Sequence, residues 1–246
     1  MDKILEHIST DYRDGRKTLL ACALVATWWA GPSQRRLFSS VLVGPYNYQR
    51  WMDGVVLPRP KVHLLEHIRS LGHSRSTDTK LKYRMRDLPR DSGQYLSALH
   101  NLRSLSLHNT KIERIREVGF RACFSAFRET LTYLALESLA TSFNAFVMLV
   151  DYFPNITTLQ FHVFDLEPDE GPVPTLSRPL RGKVQIRAEL GCLEFLDRFA
   201  KLDLEYEKLV IFPSFICLEE RLMKSAFQIS ASTVKFLRLA AVPRGE

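Results

Sequence analysis

Three phrases decide the fold: Leu102-Arg-Ser-Leu105-Ser-Leu107, Leu131-Thr-Tyr-Leu134-Ala-Leu136 and Ile156-Thr-Thr-Leu159-Gln-Phe161. Each reads apolar-x-x-apolar-x-apolar. Its closing alternation is the pattern of a strand that buries one face. The form continues as Val184-x-Ile186, Leu209-x-Ile211 and Val234-x-x-Leu237-x-Leu239. Aligned on Leu105, Leu134, Leu159, Val184, Leu209 and Leu237, the spacings are 29, 25, 25, 25 and 28 residues.

The segments between these strands read as helices. Ser142 to Phe153 places Phe143, Phe146, Val147, Val150 and Phe153 on one face. Gly191 to Leu202 does the same with Leu193, Leu196, Phe199 and Ala200. Ser214 to Phe227 opens on a capping serine and aligns Leu218, Leu222, Met223, Ala226 and Phe227. A strand followed by an amphipathic helix, repeated, is the plan of a parallel solenoid whose units bury their apolar faces only by stacking. The spacings fall in the range of leucine-rich repeats. An ordinary α/β domain is the alternative, but it does not require equal spacing. The repeats are irregular. Thr110 and Leu139 stand where the usual Asn follows the strand, so an Asn ladder is not expected. Asp165-Leu-Glu-Pro-Asp-Glu-Gly-Pro-Val-Pro174 reads as a long exposed loop inside the third repeat.

Residues 4–43 lack the repeat. Ile4, Leu5 and Ile8 suit the end of one amphipathic helix, which Asp14 and Gly15 break. Thr18 can cap a second helix carrying Leu19, Leu20, Ala23, Leu24 and Trp28. Gly31-Pro32 ends it, and Ser33 can start a third through Leu37 and Phe38. A module of this size is too small to be stable alone. It is expected to pack on the repeats or on a partner.

Lys17-Thr-Leu-Leu-Ala-Cys-Ala-Leu-Val-Ala-Thr-Trp-Trp29, followed by Arg35-Arg-Leu-Phe-Ser-Ser-Val41, resembles the F-box of mushroom-type fungal F-box proteins. Thr130-Leu-Thr-Tyr-Leu-Ala-Leu136, Asp151-Tyr-Phe-Pro-Asn-Ile-Thr-Thr-Leu159 and Arg178-Pro-Leu-Arg-Gly-Lys183 are similar to that family's repeat phrases. The resemblance runs, in order, over most of the chain. It implies an α/β protein with a short F-box-like helical module at 1–43 and an irregular leucine-rich-repeat-like solenoid with a parallel sheet at 44–246. It also implies a role. The F-box would dock the Skp-type linker subunit of an SCF-type ubiquitin ligase, and the repeats would hold a target protein for ubiquitin-dependent degradation. By that resemblance Leu19, Leu20, Leu24, Val25, Trp29, Leu37 and Phe38 match the F-box apolar positions and are the candidates for linker binding. Two departures bear on docking. The family's opening Leu-Pro-x-Glu is missing, as if the chain began inside the first helix, and Ala26-Thr27 stands where Cys-Arg precedes the final Trp. The alternative reading is therefore a ligase-independent protein-binding repeat scaffold with a decayed F-box.

The candidate target-binding surface follows from strand alternation. The leucines of L-x-L point inward, so the residues between and just after them face outward. This names Ser106, Ala135, Gln160, Gln185, Val210 and Arg238, with His108, Glu137, His162 and Arg187 beside them. The mixed face suits a protein partner better than phosphate, which needs clustered bases. Nucleic acid is not the expected partner.

Composition fits this picture. The chain has 246 residues, 46% apolar and 25% charged, which excludes a disordered chain and a small disulfide scaffold. No stretch is long and apolar enough to cross a membrane, and no signal peptide is read at the N-terminus. The expected location is the cytosol or nucleus, and no membrane partner is expected. The charge of +7 is uneven: residues 1–130 hold 22 Lys and Arg against 12 Asp and Glu, and residues 131–246 hold 12 against 15. The basic half reads as a solvated face, because its densest stretch, Arg69 to Arg90, has only Tyr83 as an aromatic. Cys22, Cys123, Cys192 and Cys217 form no C-x-x-C pair, and most of them read as buried free thiols.

One enzyme signal occurs. His63-Leu-Leu-Glu66-His67 matches H-x-x-E-H, in which two His share a helix face around zinc and the Glu serves as general base. No third ligand is singled out, and the segment also fits an amphipathic helix or a repeat element. No phosphate loop, dinucleotide fingerprint or nucleophile elbow is present. The chain reads as a non-enzyme, with no catalytic residues, cofactor or bound metal expected.

Overall fold

The computed structural model describes residues 13–25, 27–44, 47–56, 61–74, 96–108, 124–166, 171–188, 193–213 and 236–239. The protein is mixed α/β. Among the described residues, eight strands form one sheet: β1 Ser40–Val43, β2 Ser70–Ser74, β3 Ser104–His108, β4 Tyr133–Thr141, β5 Thr158–Leu166, β6 Leu180–Ala188, β7 Leu204–Pro213 and β8 Phe236–Leu239. They lie side by side in chain order, and every pair is parallel.

The register follows the leucine alignment residue by residue. Leu105 pairs with Leu134, Leu134 with Leu159, Leu159 with Val184, Val184 with Leu209, and Leu209 with Leu237. The row extends further back than the sequence reading took it, through Leu71 to Val41. The sheet thus starts at Ser40, inside the stretch read as lacking the repeat. Phe38-x-x-Val41-x-Val43 and Ile68-x-x-Leu71 carry the same phrase in weaker form. Unequal spacing hid them: 34 residues separate Leu71 from Leu105, and 30 separate Val41 from Leu71.

Successive carbonyls at the strand entries tie the row together. Ser39 O accepts from the N–H groups of both Arg69 and Ser70, Arg69 O from Arg103 and Ser104, Arg103 O from Thr132 and Tyr133, and Thr132 O from Thr157 and Thr158. A side-chain ladder runs in the turns before the strands. Asn101 Nδ2 donates to Glu66 O at 3.0 Å, Thr130 Oγ1 to Leu102 O at 2.7 Å, and Asn155 Nδ2 to Glu129 O at 2.7 Å. Each donor lies four residues before its strand leucine. The turn carbonyls are therefore satisfied by side chains of the following turn.

One face of the sheet is the core. Leu105, Leu107, Leu134, Leu136, Leu159, Phe161, Val184 and Ile186 are all buried. Helices α5 (Phe143–Tyr152) and α6 (Leu193–Phe199) cover it. Ser142 caps α5 by accepting from Ala145 N at 3.2 Å, and Phe153 ends it, as the spacing predicts. Phe161 of the sheet meets Phe146, Phe195 and Phe199, each at 5.2 Å between ring centres, and Phe199 stacks on Tyr206. A second cluster joins Phe124, Phe127 and Phe153. Burying one such ring stabilises by roughly 1.5–3 kcal/mol, and each ring pair adds about 0.5–1.5. The first cluster joins α5 and α6 to β5 and β7.

The N-terminal helices differ from expectation. Helix α1 spans Arg13–Val25 and α2 spans Thr27–Phe38, packed on each other. Asp14 and Gly15 lie within the first turn of α1, where an acid favours the helix N-terminus. Thr18 Oγ1 donates to Asp14 O within the helix and caps nothing. Gly31-Pro32 does not end a helix: Pro32 lies inside α2, and Ser33 beside it is fully buried. Pro32 removes the donor for one carbonyl, and the helix continues through it. The first helix ends at Val25 and the second starts at Thr27. The intervening short elements are α3 (Tyr48–Trp51), a single wide turn at Met52–Val56, α4 (Val62–Leu65) and a tight turn at Ser125–Phe127.

The acidic segment is also revised. β5 runs through Asp165 to Leu166. From Gly171 the chain is tied down: Leu176 is buried and Val173 packs on the core. Asp151 Oδ1 accepts from Ser177 N and Oγ at 2.9 and 2.7 Å. Residues 167–170, the helix read at Ser214–Phe227, the apolar residues at 4–8, and Cys123, Cys192 and Cys217 lie outside the described residues. Cys22 is a half-buried free thiol. Among the described residues no helix is long and apolar enough to cross a membrane.

Candidate interaction surfaces

Two surfaces stand out, one on the helix pair and one on the sheet. On the helix pair, the seven sequence-named positions divide. Leu19 is fully buried, and Trp29, Leu37 and Phe38 are half-buried, Phe38 against the sheet core. Leu20, Leu24 and Val25 stand in solvent at 55, 88 and 79% exposure. Trp28, which was not among the named positions, joins them at 62%. Its ring lies 5.9 Å from that of Trp29. Four large apolar side chains within nine residues are thus left uncovered where α1 meets α2. Single exposed apolar residues are ordinary, but a cluster marks a contact site.

The second surface is the sheet face opposite the core. Its central row runs Leu42, Gly72, Ser106, Ala135, Gln160, Gln185, Val210 and Arg238 in continuous register. The row beside it runs Ser74, His108, Glu137, His162, Arg187 and Phe212. The structure therefore brings the named candidates together in two adjacent rows. Ser106, His108, Glu137, Gln160, His162 and Gln185 are half-buried. Arg187 and Arg238 hold register positions in these rows, and their side chains lie outside the described residues.

Ala135 and Val210, read as exposed, are buried. Ala135 is short and sits between Tyr133 and Glu137 on its strand and beside Gln160 on the next, so longer neighbours cover it. Polar contacts hold the face in shape. His108 Nδ1 lies 3.0 Å from Glu137 Oε2. Tyr133 Oη donates to Gln160 Oε1 at 2.8 Å. Burial, and then the charge of Glu137, push the Tyr133 phenol above its usual pKa, so it remains a donor at neutral pH. Sequence reasoning missed Tyr133, Lys183 and Lys208, which share a third row with Ser104 and Thr158. Period-two extension from Ala135, Gln185 and Val210 would have found them.

The His63–His67 segment does not form the helix face that zinc would need. Helix α4 stops at Leu65, and His67 N bonds Leu64 O at 3.1 Å, a tighter turn than the i, i+4 geometry. No group of three His, Cys, Asp or Glu among the described residues could hold a metal ion. Partial burial, and then nearby Arg35, lower the pKa of His67.

Searches of protein-family models, curated proteins and solved structures found no match to this chain.

Proposed function

We propose that this protein is an F-box-type adaptor. Its helix pair docks the Skp-type linker subunit of an SCF-type ubiquitin ligase, and a leucine-rich-repeat-like solenoid presents a target protein on its open sheet face. The observation that carries the docking half is the uncovered cluster of Leu20, Leu24, Val25 and Trp28 on a helix pair whose sequence resembles the F-box. The solenoid half is supported by eight parallel strands in strict chain order with one unbroken leucine row. An open face lined by mixed polar side chains suits protein recognition, and the reading needs no catalytic residue.

The departures from the F-box pattern, Ala26-Thr27 above all, favour a second reading in which the scaffold binds its partner without a ligase. Co-expression with a purified-tag Skp-type linker subunit separates the two. The adaptor co-elutes with the linker as a stable complex on size-exclusion chromatography. If the two elute apart, the ligase-independent reading stands.

A further inference from the structure

Arg69 and Arg103 stand side by side where β2 and β3 begin. Arg103 N donates to Arg69 O at 2.8 Å, one residue before the paired Ser70 and Ser104. Both arginines are exposed. By strand alternation they share the side of Leu71 and Leu105, at the edge where that row leaves the core. Arg69 is held in place there. Its Nη1 donates to Glu66 O at 3.3 Å and to Asn101 O at 3.4 Å. Asn101 Nδ2 braces the same Glu66 carbonyl at 3.0 Å. These carbonyls orient the guanidinium without neutralising its charge.

Other arginines near the strand entries are paired with acids. Arg128 Nη1 lies 3.4 Å from Glu129 Oε1, and Arg181 Nε lies 2.8 Å from Glu205 Oε2. Arg69 and Arg103 form no ion pair among the described residues. Arg35 of α2 and Arg69 each act on His67 and lower its pKa, with Glu66 opposing, so the field beside the pair is positive. Like charges on neighbouring strands repel, so sheet stability gives no reason for two adjacent arginines. A ligand of opposite charge does.

We propose that the strand-entry edge at Arg69 and Arg103 binds an acidic segment of a partner protein. The planar guanidinium fork matches a carboxylate with two parallel hydrogen bonds. The two strands are about 4.8 Å apart, and carboxylates at i and i+2 of an extended segment are about 6.6 Å apart. Two long arginine side chains span that difference. Nucleic acid fits less well, because it needs a continuous basic track with stacking aromatics. Here the row continues from Arg103 into the uncharged Thr132 and Thr157, and the exposed Glu66 flanks Arg69. This surface shares no residue with the open sheet face or the uncovered helix cluster, and it does not rest on ligase docking.

The test uses the full chain alone and fluorescence anisotropy. The probe is a short labelled peptide alternating Glu and Ser, compared with a Gln–Ser peptide and a labelled single-stranded oligonucleotide. The Glu–Ser peptide binds about fivefold or more tightly than the Gln–Ser peptide. Its affinity falls as salt rises from ~0.01 to ~0.15 M, over which the Debye length shortens from ~30 to ~8 Å. Arg69→Gln/Arg103→Gln weakens binding about fivefold or more. The control Arg181→Gln/Lys201→Gln removes the same charge from exposed positions elsewhere and retains binding. Circular dichroism checks folding. Should the double variant not fold, Arg103→Gln alone is read instead, with a loss of about twofold or more. Equal affinity for both peptides, wild-type binding by the arginine variants, an equal loss in the control, or tighter binding of the oligonucleotide would overturn the proposal.

Discussion

Gly182 lies directly against the carbonyl of Thr157, and a Cβ at this position would overlap that oxygen and its carbon. The residue has φ +92° and sits where the β6–β7 register shifts. Lys183 N, the next residue, donates to the same Thr157 O at 2.8 Å. A glycine is thus required to turn the chain into the ladder at the entry of β6.

Gly182→Ala should therefore destabilise the fold by about 2–4 kcal/mol, from strain at positive φ and the clash with backbone. Gly72→Ala is the matched control. There a Cβ would meet only Leu42 Cδ1, at 2.7 Å, the far end of an exposed side chain that can move. Its effect should stay within about 1 kcal/mol. Urea unfolding of both variants checks the contrast, and equal losses would contradict it.

Tyr206 is buried against Phe199, and its hydroxyl has no hydrogen-bond partner among the described residues. Burial pushes its pKa well above the phenol range. Tyr206→Phe should be neutral or stabilising by up to about 1 kcal/mol, because it removes an unsatisfied buried polar group while keeping the ring. Phe199→Ala, which deletes a ring from the same stack, should cost about 3–5 kcal/mol. A clear loss in Tyr206→Phe on thermal melting would mean that the hydroxyl has a partner.

The pKa of His67 is lowered from 6.5, chiefly by partial burial and next by Arg35, with Glu66 opposing. The unfolded chain therefore takes up this proton at a higher pH than the folded one. Stability should be fully present above pH 6.5 and decline as the pH falls through 6.5 toward the lower folded value. His67→Gln should flatten the curve of unfolding free energy against pH in that interval. An unchanged slope in the variant would assign the dependence to other groups.

Leu24→Glu/Val25→Glu should leave the fold intact, since both side chains stand in solvent, with a stability change of about 0.5 kcal/mol or less per site. Capture of the linker subunit should be lost. Leu19→Ala, in contrast, removes a fully buried side chain and should cost about 2–5 kcal/mol. Pull-down on purified linker together with thermal melting distinguishes a docking defect from a folding defect. Trp29→Ala, at a half-buried ring touching Trp28, should show both.

Gln160→Glu/His162→Glu/Arg187→Glu should abolish target capture without affecting linker binding. The positions lie on the open face, so the fold should survive. An unfolded triple variant would contradict the assignment of this row to the open face.

The leucine row was legible because a strand's alternation is local, and a repeated phrase fixes which residues must pair when units stack. Leu105, Leu134, Leu159, Val184, Leu209 and Leu237 therefore occupy one register row, as their alignment requires. Helix α5 and its Ser142 cap were equally local. The two surfaces were legible as lists of residues but not as degrees of exposure. Whether Leu19 or Leu24 is covered depends on which side of α1 meets α2, and whether Ala135 is covered depends on longer neighbours from the next strand. Tertiary structure also decided that Pro32 stays within a helix and that Asn101, Thr130 and Asn155 reach the preceding turn. The sequence by itself determined the repeating strand and its inward face, because those follow from side-chain period. Only the stacked structure determined which turns bond, which glycine must take positive φ and where like charges meet. Each of those depends on a neighbour some 25 or more residues away in the chain.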